Sequence, residues 1–150
     1  MDVREIMTPD PFCCTADTSL EEVAKAMVEH DCGEIPIVRS SKDRTLIGVV
    51  TDRDIVCRTV AKGKNPQFLN ASDCMTSQVT TVTPETNLDT CCHLMEERQV
   101  RRIPVVDALG NCYGIISQAD IVQACEPEMT AEVLKDISRH TDASSRAAVI

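Results

Sequence analysis

An internal repeat constrains the fold of this chain more than any other feature of its sequence. Met7-Thr8 recurs as Met75-Thr76, an offset of 68 residues, and after a two-residue deletion the register resumes at an offset of 66. The clearest matches at the second offset are Gly48-Val49-Val50-Thr51 with Gly114-Ile115-Ile116-Ser117, and Asp54-Ile55-Val56 with Asp120-Ile121-Val122. Self-similarity of this length indicates two copies of one supersecondary unit.

Each copy has the pattern of a short strand, a helix, two strands and a second helix. The first helix carries an apolar stripe at helical spacing, and the second copy repeats it. The two stripes are Leu20, Val23, Ala24 and Met27, and Leu88, Cys91, Cys92 and Met95. Thr18 and Thr86 stand where these helices should begin, as capping residues.

The pattern predicts an α+β fold of two pseudo-symmetric β-α-β-β-α repeats packed face to face, because about 60 residues alone bury little core. We expect the first repeat at residues 1–61, a linker at 62–72 and the second repeat at 73–125. Residues 126–150 should hold a short helix after Pro127 and a flexible tail from Thr141.

Charge and composition exclude several classes of partner. The formal net charge of −9 disfavours nucleic acid and anionic membrane surfaces as partners, and only three aromatic residues are present to stack on bases. The charged N-terminus and the lack of a long apolar run predict no signal peptide and no membrane span, hence a cytoplasmic protein.

No catalytic motif is present, so we do not expect an enzyme. The histidines His30, His93 and His140 are scattered, and their positions are typical of solvated helix residues. The nine cysteines contain no Cys-x-x-Cys pair, so we predict no metal site, and Cys91 and Cys92 fit small core residues. A thiol or metal sensor remains an alternative.

A hydroxyl followed three residues later by a carboxylate ends an apolar strand in both copies. These pairs are Thr51 with Asp54 and Ser117 with Asp120. One interpretation is a helix-capping box. The other is a binding corner, because a hydroxyl, a carboxylate and free helix N–H groups can hold a sugar diol and phosphate.

The order Met-Thr, then hydrophobic-Pro-hydrophobic-Val, then Gly-hydrophobic-hydrophobic-Thr/Ser-x-x-Asp, found twice, resembles a tandem pair of cystathionine-β-synthase (CBS) domains, also called a Bateman module. The resemblance covers about Val3 to Ala124. It looks like a stand-alone pair without an attached enzyme, and it implies two clefts between the copies that bind adenosine compounds.

The resemblance assigns the first cleft a ribose-binding carboxylate, a hydroxyl, an adenine-lining residue and phosphate-facing arginines. Its expected residues are Asp120, Ser117, Ile115, Arg101 and Arg102, closed by Thr8, Phe12 and Cys32. A carboxylate suits a diol and a guanidinium suits a phosphate.

The second cleft is expected to bind more weakly. Its residues would be Val49, Thr51, Asp54, Thr76, Thr80 and Val100. Glu34 stands where the first cleft has Arg102, and an acidic group repels phosphate. Arg53 and Arg58 are expected to face solvent along their helix.

The resemblance therefore implies a non-catalytic regulatory module, an energy or metabolite sensor that binds AMP, ADP, ATP or S-adenosylmethionine and needs no cofactor. A homodimer and a regulated protein partner are expected, with ligand binding shifting the relative orientation of the copies. The rival interpretation is a ligand-independent dimerisation or interaction module in which the hydroxyl–carboxylate pairs only cap helices.

Overall fold

The computed structural model describes residues 1–125 and 127–138 and confirms the α+β class. The strands are β1 (Thr8–Pro9), β2 (Cys14–Thr15), β3 (Glu34–Val38), β4 (Leu46–Thr51), β5 (Arg102–Val106) and β6 (Cys112–Ser117). The α-helices are α1 (Leu20–Glu29), α2 (Asp52–Arg58), α3 (Leu88–Arg98), α4 (Gln118–Ala124) and α5 (Pro127–Ile137). Short 3-10 turns lie at Val3–Glu5, Val60–Lys62, Pro66–Phe68 and Ala71–Asp73.

The chain forms two compact units that exchange segments relative to the sequence repeats. The N-repeat unit comprises Asp10–Val79 and Ala108–Cys112. The C-repeat unit comprises Met1–Pro9, Thr80–Asp107 and the chain from Tyr113 onwards. The first nine residues thus belong to the unit built from the second repeat.

Each unit contains one three-stranded sheet. In the N-repeat unit the order is β2-β3-β4, with β2 parallel and β4 antiparallel to β3. In the C-repeat unit the order is β1-β6-β5, and β1 runs antiparallel to β6. Glu34 lies opposite Thr51 in the first sheet, so β3 begins with an acidic residue beside the predicted hydroxyl at the end of β4.

A glycine in β4 allows the chain around Thr76 to approach closely. Val49 and Thr76 exchange two backbone hydrogen bonds, of 3.0 and 2.8 Å. A Cβ on Gly48 would lie 2.8 Å from the carbonyl oxygen of Thr76 and 3.0 Å from the sulfur of Met75. The repeated Met-Thr motif therefore packs directly against the backbone of the repeated Gly motif.

The C-repeat unit builds the same contact from the other copies of these motifs. Thr8 lies opposite Ile115 in β6. A Cβ on Gly114 would lie 2.7 Å from the sulfur of Met7 and 3.0 Å from the carbonyl oxygen of Thr8. Met7-Thr8 therefore packs on the second repeat, although it precedes the first repeat in sequence.

Each unit has its own apolar core, and the predicted helix stripes are largely confirmed. Leu20, Val23 and Met27 of α1 are buried. Ala24 is exposed, contrary to prediction, and Ala26 is buried in its place, because the buried face of α1 is rotated from the predicted stripe. In α3 the buried residues are Leu88, Cys91 and Met95, with Cys92 partly buried against the same core.

The helix caps lie one residue later than predicted. Ser19 accepts a hydrogen bond from the Glu22 N–H in α1, and Asn87 accepts one from the Asp89 N–H in α3. Thr18 caps the preceding turn instead, since its hydroxyl accepts from the Thr15 N–H at 3.0 Å. Helix α5 lies where the short C-terminal helix was predicted, and the predicted flexible tail from Thr141 lies outside the described residues.

Candidate functional site

The hydroxyl–carboxylate pair of the C-repeat unit lies where β6 meets α4. The Ser117 N–H and Ser117 hydroxyl both donate to Oδ2 of Asp120, at 2.7 and 2.8 Å. The Asp120 N–H donates back to the Ser117 hydroxyl at 3.2 Å. The capping interpretation of this pair is therefore confirmed.

Capping uses only one oxygen of this carboxylate. Asp120 is half-exposed, and its Oδ1 makes no hydrogen bond within residues 1–125 and 127–138. An ionised carboxylate can accept at both oxygens. Asp120 therefore retains an acceptor for a hydroxyl group from outside the protein.

The equivalent pair of the N-repeat unit, where β4 meets α2, forms the same box. The Thr51 N–H donates to Oδ2 of Asp54 and the Asp54 N–H donates to the Thr51 hydroxyl, both at 3.0 Å. Its surroundings differ, because Asp54 is buried, and Nε of Arg58 lies 3.6 Å from its Oδ1. Both carboxylate oxygens of Asp54 thus face a partner from the protein itself.

The sequence predicts that Arg58 faces solvent, but in the structure its guanidinium contacts other parts of the protein. Besides Asp54, it contacts the chain around Cys74: its Nη1 donates to the carbonyl oxygens of Cys74 and Met75, at 3.0 and 3.1 Å. At the repeat offset of 66 residues, Ala124 occupies the position of Arg58. The two corners therefore share a backbone design but differ in the charge placed beside the carboxylate.

The other residues predicted for the first cleft divide between the two units. Thr8, Arg101, Arg102 and Ile115 belong to the C-repeat unit, whereas Phe12 and Cys32 belong to the N-repeat unit. Within the C-repeat unit, Thr8 pairs with Ile115, and the carbonyl oxygen of Arg101 accepts from the Gln118 N–H at 2.8 Å.

The two arginines lie at the entry of β5, close in sequence to that contact. Arg101 is exposed and Arg102 is half-exposed, and neither forms a salt bridge with any residue that the structure describes. The backbone bond between Arg101 and Gln118 ties the start of β5 to the first residue of α4. Both guanidinium groups thus remain available for an anionic partner.

Phe12 has an aromatic partner that sequence reasoning missed. Its ring stacks on His30 with centroids 4.6 Å apart, and 48% of Phe12 is exposed. The left-handed turn residue Asp31 follows the histidine directly. The two aromatic residues are distant in sequence and His30 stands outside every repeated motif, so no sequence signal links them.

The residues predicted for the second cleft also divide between the units. Val49, with Thr51, Asp54 and Thr76, lies in the N-repeat unit, and Thr80 and Val100 lie in the C-repeat unit. Val49 and Thr76 are adjacent through their two backbone hydrogen bonds. The Thr76 hydroxyl is buried and forms no hydrogen bond within the described residues.

The cysteines mostly behave as small apolar residues. Burial raises the pKa of Cys91 to about 12, and the pKa of both Cys74 and Cys92 to about 11. The core assignment of Cys91 is confirmed by its complete burial, and Cys92 is partly buried against the same core. Across the described residues, no group of three or more His, Cys, Asp or Glu side chains could hold a metal ion.

Among residues 1–125 and 127–138, no helix combines the length and the apolar character needed to cross a membrane.

Comparison with known proteins agrees with this architecture. A CBS domain family model matches residues 3–58 and 71–127. An uncharacterised protein of Methanopyrus kandleri, MK0525, is 35% identical over 136 residues, which cover 91% of this chain and 65% of that protein. The CBS domain-containing protein YhcV of Bacillus subtilis is 32% identical over 91% of this chain and 94% of its own length.

Solved structures of similar proteins include two with adenosine compounds bound. CBSX2, from Arabidopsis thaliana, was crystallised with AMP, and it matches with 28% identity and a TM-score of 0.71 over 82% of this chain and 94% of its own. The CBS domain pair of MJ0100, with 5′-methylthioadenosine and S-adenosyl-L-methionine, has 25% identity and a TM-score of 0.73, covering 82% and 94%. Hypoxic Response Protein I, with two coordinated zinc ions, has 32% identity and a TM-score of 0.74, covering 84% and 100%.

Proposed function

This chain belongs to the CBS domain family, and from that premise we propose that it is a non-catalytic regulatory module whose ligand is an adenine nucleotide or a related adenosyl compound. The unpaired Oδ1 of half-exposed Asp120 carries the proposal, since it leaves a fixed acceptor beside a helix start. CBSX2 with AMP and MJ0100 with S-adenosyl-L-methionine support this ligand class.

Asp120 would accept from the ribose hydroxyls, with Ser117 holding its other oxygen in place. Arg101 and Arg102 would face phosphate, because a guanidinium matches phosphate oxygens with its forked donors. Ile115 would line the adenine. Thr8, Phe12 and Cys32 would complete this pocket.

The second set of residues would bind a ligand weakly or not at all. Asp54 is buried and already faces Arg58, so a ribose would have to displace an intramolecular ion pair. Glu34, buried in β3 beside Thr51, adds negative charge where Arg102 stands in the other repeat. Thr51, Thr76, Val49, Thr80 and Val100 would form this weaker site.

A thermal unfolding scan of the reduced protein with AMP, ADP, ATP or S-adenosylmethionine tests the proposal. Ligand at about 100 times its Kd stabilises the folded state by about 2.7 kcal/mol. A chain of this size gains about 2–4 °C in Tm per kcal/mol. We expect a shift of about 5–11 °C with at least one of these compounds.

Matched variants separate ligand binding from capping. Asp120→Ala should abolish the shift and lower the free energy of unfolding of the ligand-free protein by a capping energy of about 0.5–2 kcal/mol. Asp54→Ala should keep the ligand-induced shift although it destabilises the fold. Ala124→Arg should place a cation beside Asp120, as Arg58 does beside Asp54, and weaken binding without removing the carboxylate.

Other outcomes would favour the rival function. No shift with any of the four compounds, together with an Asp120→Ala effect no larger than a capping energy, would indicate a ligand-independent interaction module. Two equal high-affinity AMP sites measured by calorimetry would contradict the predicted inequality between Asp120 and Asp54.

Self-association with a second copy is part of the proposed function. An apolar groove of about 490 Å³ lies along α1 of the N-repeat unit, lined by Leu20, Val28, Ile55 and Pro66 among others. Val28 and nearby Phe68 are each 84% exposed. Light scattering should give a dimer mass that Val28→Glu reduces to a monomer mass. An unchanged mass in Val28→Glu would place the contact elsewhere.

A further inference from the structure

Two cysteines that are 99 residues apart in sequence meet in the N-repeat unit. Cys13 is half-buried and directly precedes β2, whereas Cys112 is buried and begins β6. Their side chains interact with each other, and the Cys13 thiol also donates to the carbonyl oxygen of Pro11 at 3.3 Å. The contact therefore joins the partly exposed side chain of Cys13 to the buried side chain of Cys112.

Arg44 binds both cysteine segments. Its Nη2 lies 3.4 Å from the sulfur of Cys13 and donates to the carbonyl oxygen of Pro11 at 3.2 Å. Its Nε donates to the carbonyl oxygen of Cys112 at 3.4 Å, and its own carbonyl oxygen accepts from the Cys112 N–H at 2.8 Å. Asp10 lies 3.3 Å from the same guanidinium. The Arg44 guanidinium therefore contacts the Cys13 sulfur and the Cys112 backbone, and it supplies positive charge beside Cys13.

The surrounding charges make the two thiols unequal. The hydrogen bond from Cys112 lowers the pKa of Cys13, and so does Arg44, against the opposing effects of burial and Asp10. The same hydrogen bond, with burial, the charge of Cys13 and that of Glu34, raises the pKa of Cys112 despite Arg44. Cys13 is therefore the sulfur that ionises first, and the Cys112 thiol keeps its proton and donates a hydrogen bond to it.

The other shifted cysteines of the described chain move in the opposite direction. Burial raises the pKa of Cys14, which is next in sequence, and the charge of Cys13 raises it further. Burial also raises the pKa of Cys125. A thiolate is the nucleophilic form of cysteine, so the Cys13 environment differs from that of its neighbours in the property that controls reactivity.

We infer that Cys13 and Cys112 form a dithiol pair that a peroxide oxidises to a reversible disulfide, with Cys13 as the attacking sulfur and Cys112 as the resolving one. The partial exposure of Cys13, its contact with Cys112 and the guanidinium of Arg44 carry this inference. It does not depend on the proposed nucleotide site.

The chemistry balances with hydrogen peroxide as the oxidant. The Cys13 thiolate attacks one peroxide oxygen, so an S–O bond forms, the O–O bond breaks, and the departing hydroxide takes up a proton to become water. The Cys112 thiol then loses its proton and attacks the Cys13 sulfur, so the S–S bond forms and the sulfenic oxygen leaves as water. Two thiols and one peroxide give one disulfide and two waters, and an external dithiol reverses the reaction.

Peptide mass spectrometry of the full chain tests the pair directly. Reduced protein is treated with stoichiometric hydrogen peroxide, the remaining thiols are alkylated, and the protein is digested without reductant. Trypsin leaves Cys112 and Cys125 on one peptide, so chymotrypsin is added to cut after Tyr113. We expect one dominant linkage, between the peptides of Cys13 and Cys112, that dithiothreitol removes.

Single variants assign the sulfurs and provide matched controls. Cys13→Ser and Cys112→Ser should each abolish the linkage, whereas Cys14→Ser should retain it and resolve the ambiguity of the Cys13-Cys14 peptide. Cys57→Ser is the control, because Cys57 is exposed and is not among the residues that contact Cys13 or Cys112. Failure of wild-type protein to form the linkage, or its persistence in Cys13→Ser, would overturn the inference.

The pH profile of Cys13 alkylation provides a second readout that needs no disulfide. In wild-type protein the alkylation rate of Cys13 should reach half its maximum at a lower pH than for an ordinary thiol, because its pKa is lowered. Cys112→Ala and Arg44→Met should each shift the profile upward, with a rate at neutral pH lower by about tenfold per pKa unit. A profile that neither variant changes would contradict the assigned roles, even if oxidised protein contained a disulfide.

Discussion

Replacing Gly48 with alanine tests the close backbone contact that the repeated motifs build. The added Cβ would lie 2.8 Å from the backbone oxygen of Thr76, and this residue can move away only if its two hydrogen bonds with Val49 lengthen. Each such bond contributes about 1 kcal/mol net. Overpacking of this kind costs about 1–3 kcal/mol.

The expected sign is opposite to that for an unconstrained strand glycine. Glycine in a strand interior is less stable than alanine by about 0.5–1 kcal/mol, so Gly48→Ala without a clash would stabilise the protein. With the clash, we expect a net loss of about 1–2 kcal/mol. That loss corresponds to a Tm lower by about 2–8 °C.

Chemical denaturation and thermal scans of the ligand-free protein measure the effect, and Gly114→Ala is the matched comparison. Its added Cβ would first meet the flexible end of Met7, at 2.7 Å, and would lie 3.0 Å from the Thr8 carbonyl oxygen. We therefore expect a smaller loss than for Gly48→Ala. An unchanged or higher Tm for Gly48→Ala would refute the role assigned to this glycine.

Three further outcomes follow from the structure. Arg58→Met should cost about 1–3 kcal/mol in urea denaturation because it leaves the buried Asp54 Oδ1 without a partner, whereas exposed Arg53→Met should be nearly neutral. The free energy of unfolding should fall by about 1.4 kcal/mol per pH unit for each buried thiol between pH 9 and the folded-state pKa. Only the unfolded thiol ionises there, since burial raises the pKa of Cys91 to about 12, so Cys91→Val should make that fall shallower. His30→Ala should weaken AMP binding about 2- to 10-fold in calorimetry, through loss of an aromatic contact.

The repeat predicted the fold well because its motifs encode local structure and one backbone contact. The strand–helix order, most of the two apolar faces and the positions of both hydroxyl–carboxylate pairs followed from spacing. The caps of α1 and α3 were misplaced because Thr18 and Ser19 are both competent cap residues, and only the turn geometry selects between them. The exposure of Ala24 depends on how α1 is rotated against its sheet, which periodicity defines only coarsely.

The features that sequence reasoning missed depend on long side chains or distant segments. The Arg58 guanidinium contacts both Asp54 and the backbone at Cys74. Spacing along a helix does not predict which groups a long arginine side chain will contact. The contact of Cys13 with Cys112 arises because the segment before β6 folds onto the N-repeat unit. Such a segment exchange cannot be read from either repeat alone.

Positions that the two repeats share support the backbone, whereas both proposals depend on positions where they differ. Ala124 replaces Arg58, which leaves Asp120 with an acceptor that the other corner lacks. Cys112 corresponds to Leu46 at the repeat offset, so the dithiol pair also has no counterpart in the other copy. The two repeats thus share one backbone frame and differ in the side chains that would supply its chemistry. An exchange at position 124 should therefore change ligand affinity far more than it changes the fold, since the capping box that organises α4 does not involve that residue.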